Sequence, residues 1–150
     1  MSLKFYNFEI NNLNIIIFNS PTNETINELN DSIKKYSIEI IFRICEPLYN
    51  KNLVNCCVED IELLDGSFPS NNLIKNILIK IKNKKVIGIH CKAGLGRSPT
   101  ICAILLLYYT NKNYIEVVEL IRSKIKGAIN KNQLEGLKKF NKNIDRCIIF

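Results

Sequence analysis

Hydrophobic positions along the chain follow two rhythms. Leu3 to Ile10 and Leu13 to Phe18 are short runs rich in β-branched and aromatic residues, parted by Asn11-Asn12, and they predict two strands joined by a hairpin turn. Ile38 to Ile44 predicts a buried strand, Asn55 to Leu63 another, and the apolar run Lys85-Val86-Ile87-Gly88-Ile89 a third. Between these runs the apolar spacing becomes helical. Pro21-Thr22 opens a helix with Ile26, Leu29 and Ile33 on one face, and Ser70 caps another that carries Leu73, Ile74, Ile77, Leu78 and Ile81. Pro99 through Tyr109 predicts a strongly apolar helix, and Tyr114 to Lys124 and Lys131 to Lys142 predict two more. Strands that feed helices imply an α/β fold: a central, mainly parallel sheet flanked by helices, with a ligand crevice at the carboxyl ends of the strands. No repeat or linker divides the chain.

Composition narrows the class. At 150 residues, with 47% hydrophobic and 23% charged positions, the chain suits one globular domain with a substantial core. A net charge of +7 favours anionic partners such as phosphoproteins, phosphoinositides or an acidic membrane surface. Nucleic acid is not expected, because aromatic residues are not interleaved with the basic ones as a stacking platform requires. No run approaches a membrane span and no secretory signal opens the chain, so an intracellular protein is expected. The six cysteines show no metal-ligand spacing with paired histidines, and they predict neither a zinc site nor a disulfide scaffold. No metal and no cofactor is expected. Cys56-Cys57 reads as a strand or loop feature.

The chemistry concentrates in His90-Cys91-Lys92-Ala93-Gly94-Leu95-Gly96-Arg97-Ser98-Pro99-Thr100, between a strand and a helix. The first amides of a helix lack partners and the dipole's positive end faces the loop, so anions bind there. Gly94 and Gly96 free the backbone to turn the N–H groups of residues 92–97 onto one phosphate-sized oxyanion. Arg97 completes the ring, its guanidinium fork holding two phosphate oxygens at once. The same field favours the thiolate of Cys91, and a thiolate in a phosphate cradle attacks phosphorus. His90, the only histidine, orients the loop or helps hold the thiolate, or else is a strand-end residue satisfied by backbone. Ser98 either donates to the cysteine sulfur as it leaves or caps the helix. The leaving oxygen needs a proton, and Asp65, followed by Gly66 in a turn-rich stretch, is the candidate acid. Glu59, Asp60 and Glu62 lie near enough to compete, and a plain turn aspartate is the alternative.

With these residues in view, the chain resembles the cysteine-based protein tyrosine phosphatases, whose signature is His-Cys, five residues, then Arg-Ser/Thr. Within them it is most similar to the prenylated PRL (phosphatase of regenerating liver) group of the dual-specificity superfamily. The likeness extends to Phe18-Asn19-Ser20-Pro21-Thr22-Asn23, Arg43-Ile44-Cys45-Glu46, Asp65-Gly66-Ser67-Phe68-Pro69-Ser70-Asn71 and Lys126-Gly127-Ala128-Ile129-Asn130-Lys131-Asn132-Gln133. It implies a single-domain cysteine-phosphatase fold over residues 1–146, Asp65 as general acid and Gln133 as the residue that positions the hydrolytic water. An exposed helix-start glutamine is the alternative for Gln133. The resemblance also implies a reversible disulfide between Cys45 and Cys91, a redox switch; a small buried cysteine is the other reading of Cys45. The chain departs from the group in two places. Ile61, Glu62 and Leu64 stand where the group has Trp, Pro and a second Asp, and Ser98 stands where it usually has alanine.

Residues 147–150, Cys147-Ile148-Ile149-Phe150, match a prenylation box, with Phe150 favouring a geranylgeranyl group. One lipid anchors weakly, and Lys138, Lys139, Lys142 and Arg146 would each add roughly 1 kcal/mol near an anionic leaflet, less the opposition of Asp145. A peripheral protein at the cytoplasmic membrane face is the expectation, a tail packed on the domain the alternative. Three functions compete: a metal-independent protein phosphatase acting through a phosphocysteine on Cys91, a phosphoinositide phosphatase, and a weakly catalytic module that grips a cyclin M type magnesium transporter, as PRL proteins do. Lys92 suits a multiply charged headgroup, whereas Leu95 stands where lipid enzymes often add a lysine.

Overall fold

The computed structural model describes residues 2–142. The chain opens with β1 (Phe5–Ile10) and β2 (Leu13–Phe18), then α1 (Ile26–Tyr36), β3 (Ile40–Arg43) and β4 (Cys57–Asp60). It continues through α2 (Asn71–Ile81), β5 (Val86–His90), α3 (Arg97–Tyr109), α4 (Tyr114–Lys124) and α5 (Lys131–Lys142). The five strands form one sheet in the order β1-β2-β5-β3-β4. Only the β1–β2 hairpin is antiparallel; the other three pairings are parallel. The mainly parallel α/β architecture expected from the sequence is the one observed.

Alternation along the strands sorts side chains between two cores. Ile15, Ile17, Phe42, Ile87 and Ile89 face the layer built by α2 to α5, while Ile16, Phe18, Ile41 and Val58 face α1 through Ile26, Leu29 and Ile33. One face therefore carries a single helix and the other carries four. The central α3 is buried from Arg97 to Leu107, which explains why its sequence shows no polar stripe.

Register positions the site. Phe18 pairs with His90, His90 with Arg43, and Arg43 with Asp60, so a single row crosses four strands at their carboxyl ends. Beyond that row, the Ile44 amide donates to the His90 carbonyl at 2.8 Å and the Ile61 amide to the Arg43 carbonyl at 3.0 Å. The chain then leaves the sheet.

The element ends differ from expectation in three places. A 3₁₀ turn over Asn23–Thr25, with a capping box between Thr22 and Thr25, precedes α1, so the α-helix starts at Ile26 rather than at Pro21-Thr22. α3 starts at Arg97, two residues before Pro99. A proline is tolerated in the first turn, where its missing N–H has no helical partner to lose. The strands expected over 38–44 and 55–63 shorten to four residues each; at their amino ends the Ile38 amide closes the end of α1 on the Ile33 carbonyl and the Asn55 amide donates to Asn30.

Candidate active site

Strand β5 ends in His90, and the loop from Cys91 to Gly96 leads directly into α3. Gly94 has φ +76°, a left-handed conformation that turns the loop back on itself. Gly96 has no such φ, and its role is space. A Cβ there would lie 3.3 Å from Gln133 Nε2, so the glycine admits that amide against the loop. Gly96, not Ser98, occupies the N-cap position of α3.

The loop opens into a cleft of about 410 Å³ lined by Asp65, Gly66, Cys91, Lys92, Ala93, Leu95, Gly96, Arg97, Gly127, Asn130 and Gln133. The structure thus brings Cys91, the loop, Arg97, Asp65 and Gln133, all singled out in the sequence, into one cleft. Cys91 is buried at its floor. Arg97, also buried, donates from Nη1 to the Leu63 carbonyl at 3.2 Å, and its Nε lies 3.6 Å from Asp65 Oδ1. Three buried polar atoms have no hydrogen-bond partner among the described residues: Arg97 Nε, Ser98 Oγ and Gln133 Nε2. Two lie in the first turn of α3, directly after the loop, and the third is the amide pressed against Gly96. Burying polar atoms without partners is costly, and a tetrahedral oxyanion with a nearby water would satisfy such donors.

His90 is fully buried and points away from the cleft. Tyr49 Oη lies 2.7 Å from its Nε2, and its Nδ1 lies 3.4 Å from the Cys91 carbonyl. The consistent tautomer has the phenol donating to Nε2 and Nδ1–H donating to the carbonyl. Burial drives the pKa of His90 down to about 4, so the imidazole is neutral. Burial also raises the Tyr49 phenol above its usual range and keeps it a donor. Loop orientation, one of the two roles expected of His90, is the one the geometry favours. The network runs deeper: the buried Arg43 donates to the Tyr49 carbonyl at 2.8 Å and to Asp60 Oδ2 at 3.1 Å.

That pairing also removes the rivals of Asp65. The hydrogen bond from Arg43 holds the Asp60 carboxyl below the usual range, and Lys80 does the same for Glu59. Glu62 lines a separate cavity of about 670 Å³ that adjoins the cleft through Arg97 and also includes Cys45. Asp65 alone faces the nucleophile's cleft, 88% exposed at its mouth.

Cys45 and Cys91 are both free thiols. Cys45 Sγ lies 3.9 Å from His90 Nδ1, the nitrogen that faces the Cys91 carbonyl, and burial pushes the Cys45 thiol up. Cys57 begins β4 and Cys56 directly precedes it, as expected of a strand feature. Cys147, Arg146 and Asp145 lie outside the described residues. No helix among the described residues is long and apolar enough to cross a membrane.

Several site residues carried no clear sign in the sequence. Tyr49 is 41 residues from the His90 it bonds, and only the sheet register brings the two together. Asn130 did leave a trace, the Asn-x-x-Gln spacing of a capping box before a helix.

Residues 27–143 match the family described as the dual specificity phosphatase, catalytic domain. The chain is similar to protein tyrosine phosphatase type IVA 2 of Mus musculus, with 34% identity over 140 residues, 86% of this chain and 82% of the relative. It is similar also to a probable protein tyrosine phosphatase type IVA B of Dictyostelium discoideum, 37% identical over 134 residues, 83% of this chain and 82% of the relative. Its fold superposes on a solved structure described as a protein tyrosine phosphatase from Leishmania major with a TM-score of 0.74 and 26% identity, covering 85% of this chain and 88% of the other.

Proposed function

The chain belongs to the dual specificity phosphatase family as a protein tyrosine phosphatase of the type IVA (PRL) kind, and from that premise we propose how its residues carry out the reaction. The Cys91 thiolate attacks the phosphorus of a phosphotyrosine on a protein. The loop amides and the Arg97 guanidinium hold the phosphoryl oxygens, with charge-assisted hydrogen bonds that strengthen as charge develops. The S–P bond forms as the P–O bond breaks, and protonated Asp65 gives its proton to the departing phenolate. In the second step Gln133 Nε2 donates to the attacking water, Asp65 takes a proton from it, and the P–S bond breaks. Ser98 donates to the departing sulfur, a hydroxyl the PRL group usually lacks.

The observation that carries this reading is one cleft that the buried Cys91 and Arg97 share with Asp65 and Gln133, with Arg97 Nε and Gln133 Nε2 left without hydrogen-bond partners among the described residues. Leu95, half-exposed at the rim, presents apolar surface where a polyanionic headgroup would want a cation, and this favours protein over phosphoinositide. Turnover of an aryl phosphate that vanishes in Cys91→Ser and slows in Asp65→Asn supports the assignment. Full activity of Cys91→Ser refutes it.

Two further elements belong to the same reading. The box at Cys147, together with the exposed Lys138 and Lys142 on α5, supports a prenyl anchor on an anionic membrane surface; an unchanged mass of the tail after expression in prenylating cells would remove it. Cys45, beside the same imidazole as the nucleophile, supports an oxidative Cys45–Cys91 disulfide that silences the enzyme, to be sought by peptide mapping after mild peroxide. An uncrosslinked pair in the inactivated enzyme counts against it.

A further inference from the structure

One side chain outside the cleft ties together all three of its walls. Ile129 has φ +67°, a left-handed conformation that a β-branched residue rarely adopts. Such a conformation persists only where the surroundings over-determine it. Here the determinant is Arg122 on α4, whose Nε donates to the Ala128 carbonyl at 2.9 Å and whose Nη2 donates to the Ile129 carbonyl at 2.8 Å. The guanidinium fork grips two successive peptides and fixes the turn between them.

Each of the residues that follow reaches a different part of the site. The Ile129 amide donates to the Leu95 carbonyl at 2.9 Å, bracing the phosphate loop. Asn130 Oδ1 accepts from the Gln133 amide at 2.7 Å, while the Asn130 amide donates to Gln133 Oε1 at 2.9 Å. This reciprocal cap uses the oxygen ends of both side chains and leaves both NH₂ groups to act elsewhere. Asn130 Nδ2 donates to the Gly66 carbonyl at 3.1 Å, joined by Asn132 Nδ2 at 3.2 Å. Gln133 Nε2 is turned toward Gly96. Gly66 is the residue next to Asp65, so the same turn also holds the acid's loop.

We propose that Arg122 is a positioning residue for the phosphatase reaction: by fixing the 128–133 turn it sets the phosphate loop, the Asp65 loop and Gln133 in register with one another. The proposal rests on Asp65 acting as the acid. Arg122 touches neither the nucleophile nor the acid, so its effect passes entirely through the turn. The prediction is a selective defect rather than a general one, since a misplaced acid matters most for leaving groups that need a proton.

The test measures pre-steady-state release of phenols of graded acidity from aryl phosphates by Arg122→Ala, Arg122→Lys and Asn130→Ala, together with hydrogen exchange of the amides at 64–67 and 93–96. We expect Arg122→Ala to slow release on the order of tenfold for poor leaving groups and little for nitrophenols, with KM nearly unchanged, and to speed exchange in both segments. Arg122→Lys, which keeps the charge but not the rigid planar fork, recovers part of the loss. Asn130→Ala reproduces the leaving-group dependence and speeds exchange at 64–67. A uniform loss across all leaving groups with unchanged exchange overturns the proposal, as does wild-type behaviour. If Arg122→Ala does not fold, the lysine and Asn130 variants decide by the same criteria. Asp65→Asn separates the two readings: an unaltered leaving-group dependence there removes Asp65 as the acid, while the exchange data still decide whether Arg122 couples the loops.

Discussion

Mild acid should destabilise this protein through one buried ring. His90 is the only histidine in the chain, so between pH 5 and 7 no other imidazole titrates. In the folded state its pKa is about 4 against an ordinary 6.5, chiefly because burial disfavours the charged form. The unfolded chain therefore binds the proton more readily, and stability is complete above pH 6.5, falls as the pH drops toward 4, and levels off below that. One proton changes stability by at most about 1.36 kcal/mol per pH unit, giving about 3 kcal/mol over the whole range and about 2 kcal/mol between pH 7 and 5. Asp60 and Glu59, whose carboxyls are lowered by Arg43 and Lys80, push in the same direction, but their contribution is lost as the pH falls through the ordinary carboxylate range and below it, so the interval from pH 7 to 5 reports chiefly the imidazole. The assay is urea unfolding at pH 7 and pH 5. With a slope of about 2 kcal/mol per molar, the midpoint should fall by about 1 M in the wild type. In His90→Gln, whose side chain does not titrate, the midpoint should be lower at pH 7 but nearly the same at pH 5. Equal stability of the wild type at the two pH values, or an equal acid shift in the variant, would refute the buried neutral imidazole.

Other substitutions probe individual contacts. Tyr49→Phe strips the donor from His90 Nε2 and leaves a buried acceptor unpaired; a loss of about 1–3 kcal/mol in equilibrium unfolding is expected, with slower turnover as the loop loosens. Ser98→Ala should leave phosphocysteine formation intact and slow its hydrolysis in single-turnover measurements, whereas unchanged hydrolysis contradicts the hydroxyl's role. Gly96→Ala sets a methyl 3.3 Å from Gln133 Nε2 and should slow the hydrolytic step more than the first step, read as a larger burst relative to steady state. Gly136→Ala drives a Cβ into the Phe68 ring and to 2.9 Å from its Cβ, an overpacking expected to cost about 1–3 kcal/mol in thermal unfolding.

Local chemistry made the centre of the site legible in sequence. A cysteine, two glycines and an arginine set between an apolar strand and a helix carry the chemistry of an anion cradle in a single short segment. The helices with one apolar face, α1 and α2, were legible for a related reason, since their burial repeats at the helical period. What the sequence hid is what the sheet register creates. His90 meets Tyr49 and Arg43 meets Asp60 only because β3, β4 and β5 run parallel and end level with one another. Arg122 hid for another reason: it is exposed overall, sits on an ordinary amphipathic helix, and binds backbone carbonyls, which leave no mark on the residue types around them. The three carboxylates near Asp65 could not be ranked by spacing, because what sets them apart is the cation that Asp60 and Glu59 each meet and the separate cavity that Glu62 lines.

The proposed nucleophile, Cys91, hangs from the middle strand of the sheet and the proposed acid, Asp65, from a turn beyond its edge. β5 is clasped by β2 and β3, whereas the Asp65 turn is held by a few side-chain hydrogen bonds to Gly66 and one short backbone turn at Ser67. The two halves of the catalytic machinery thus lie at opposite ends of the protein's stability gradient. On warming, the enzyme should become a phosphate-binding protein before it becomes an unfolded one: its capacity to donate a proton melts first, and its grip on the oxyanion lasts as long as the sheet does.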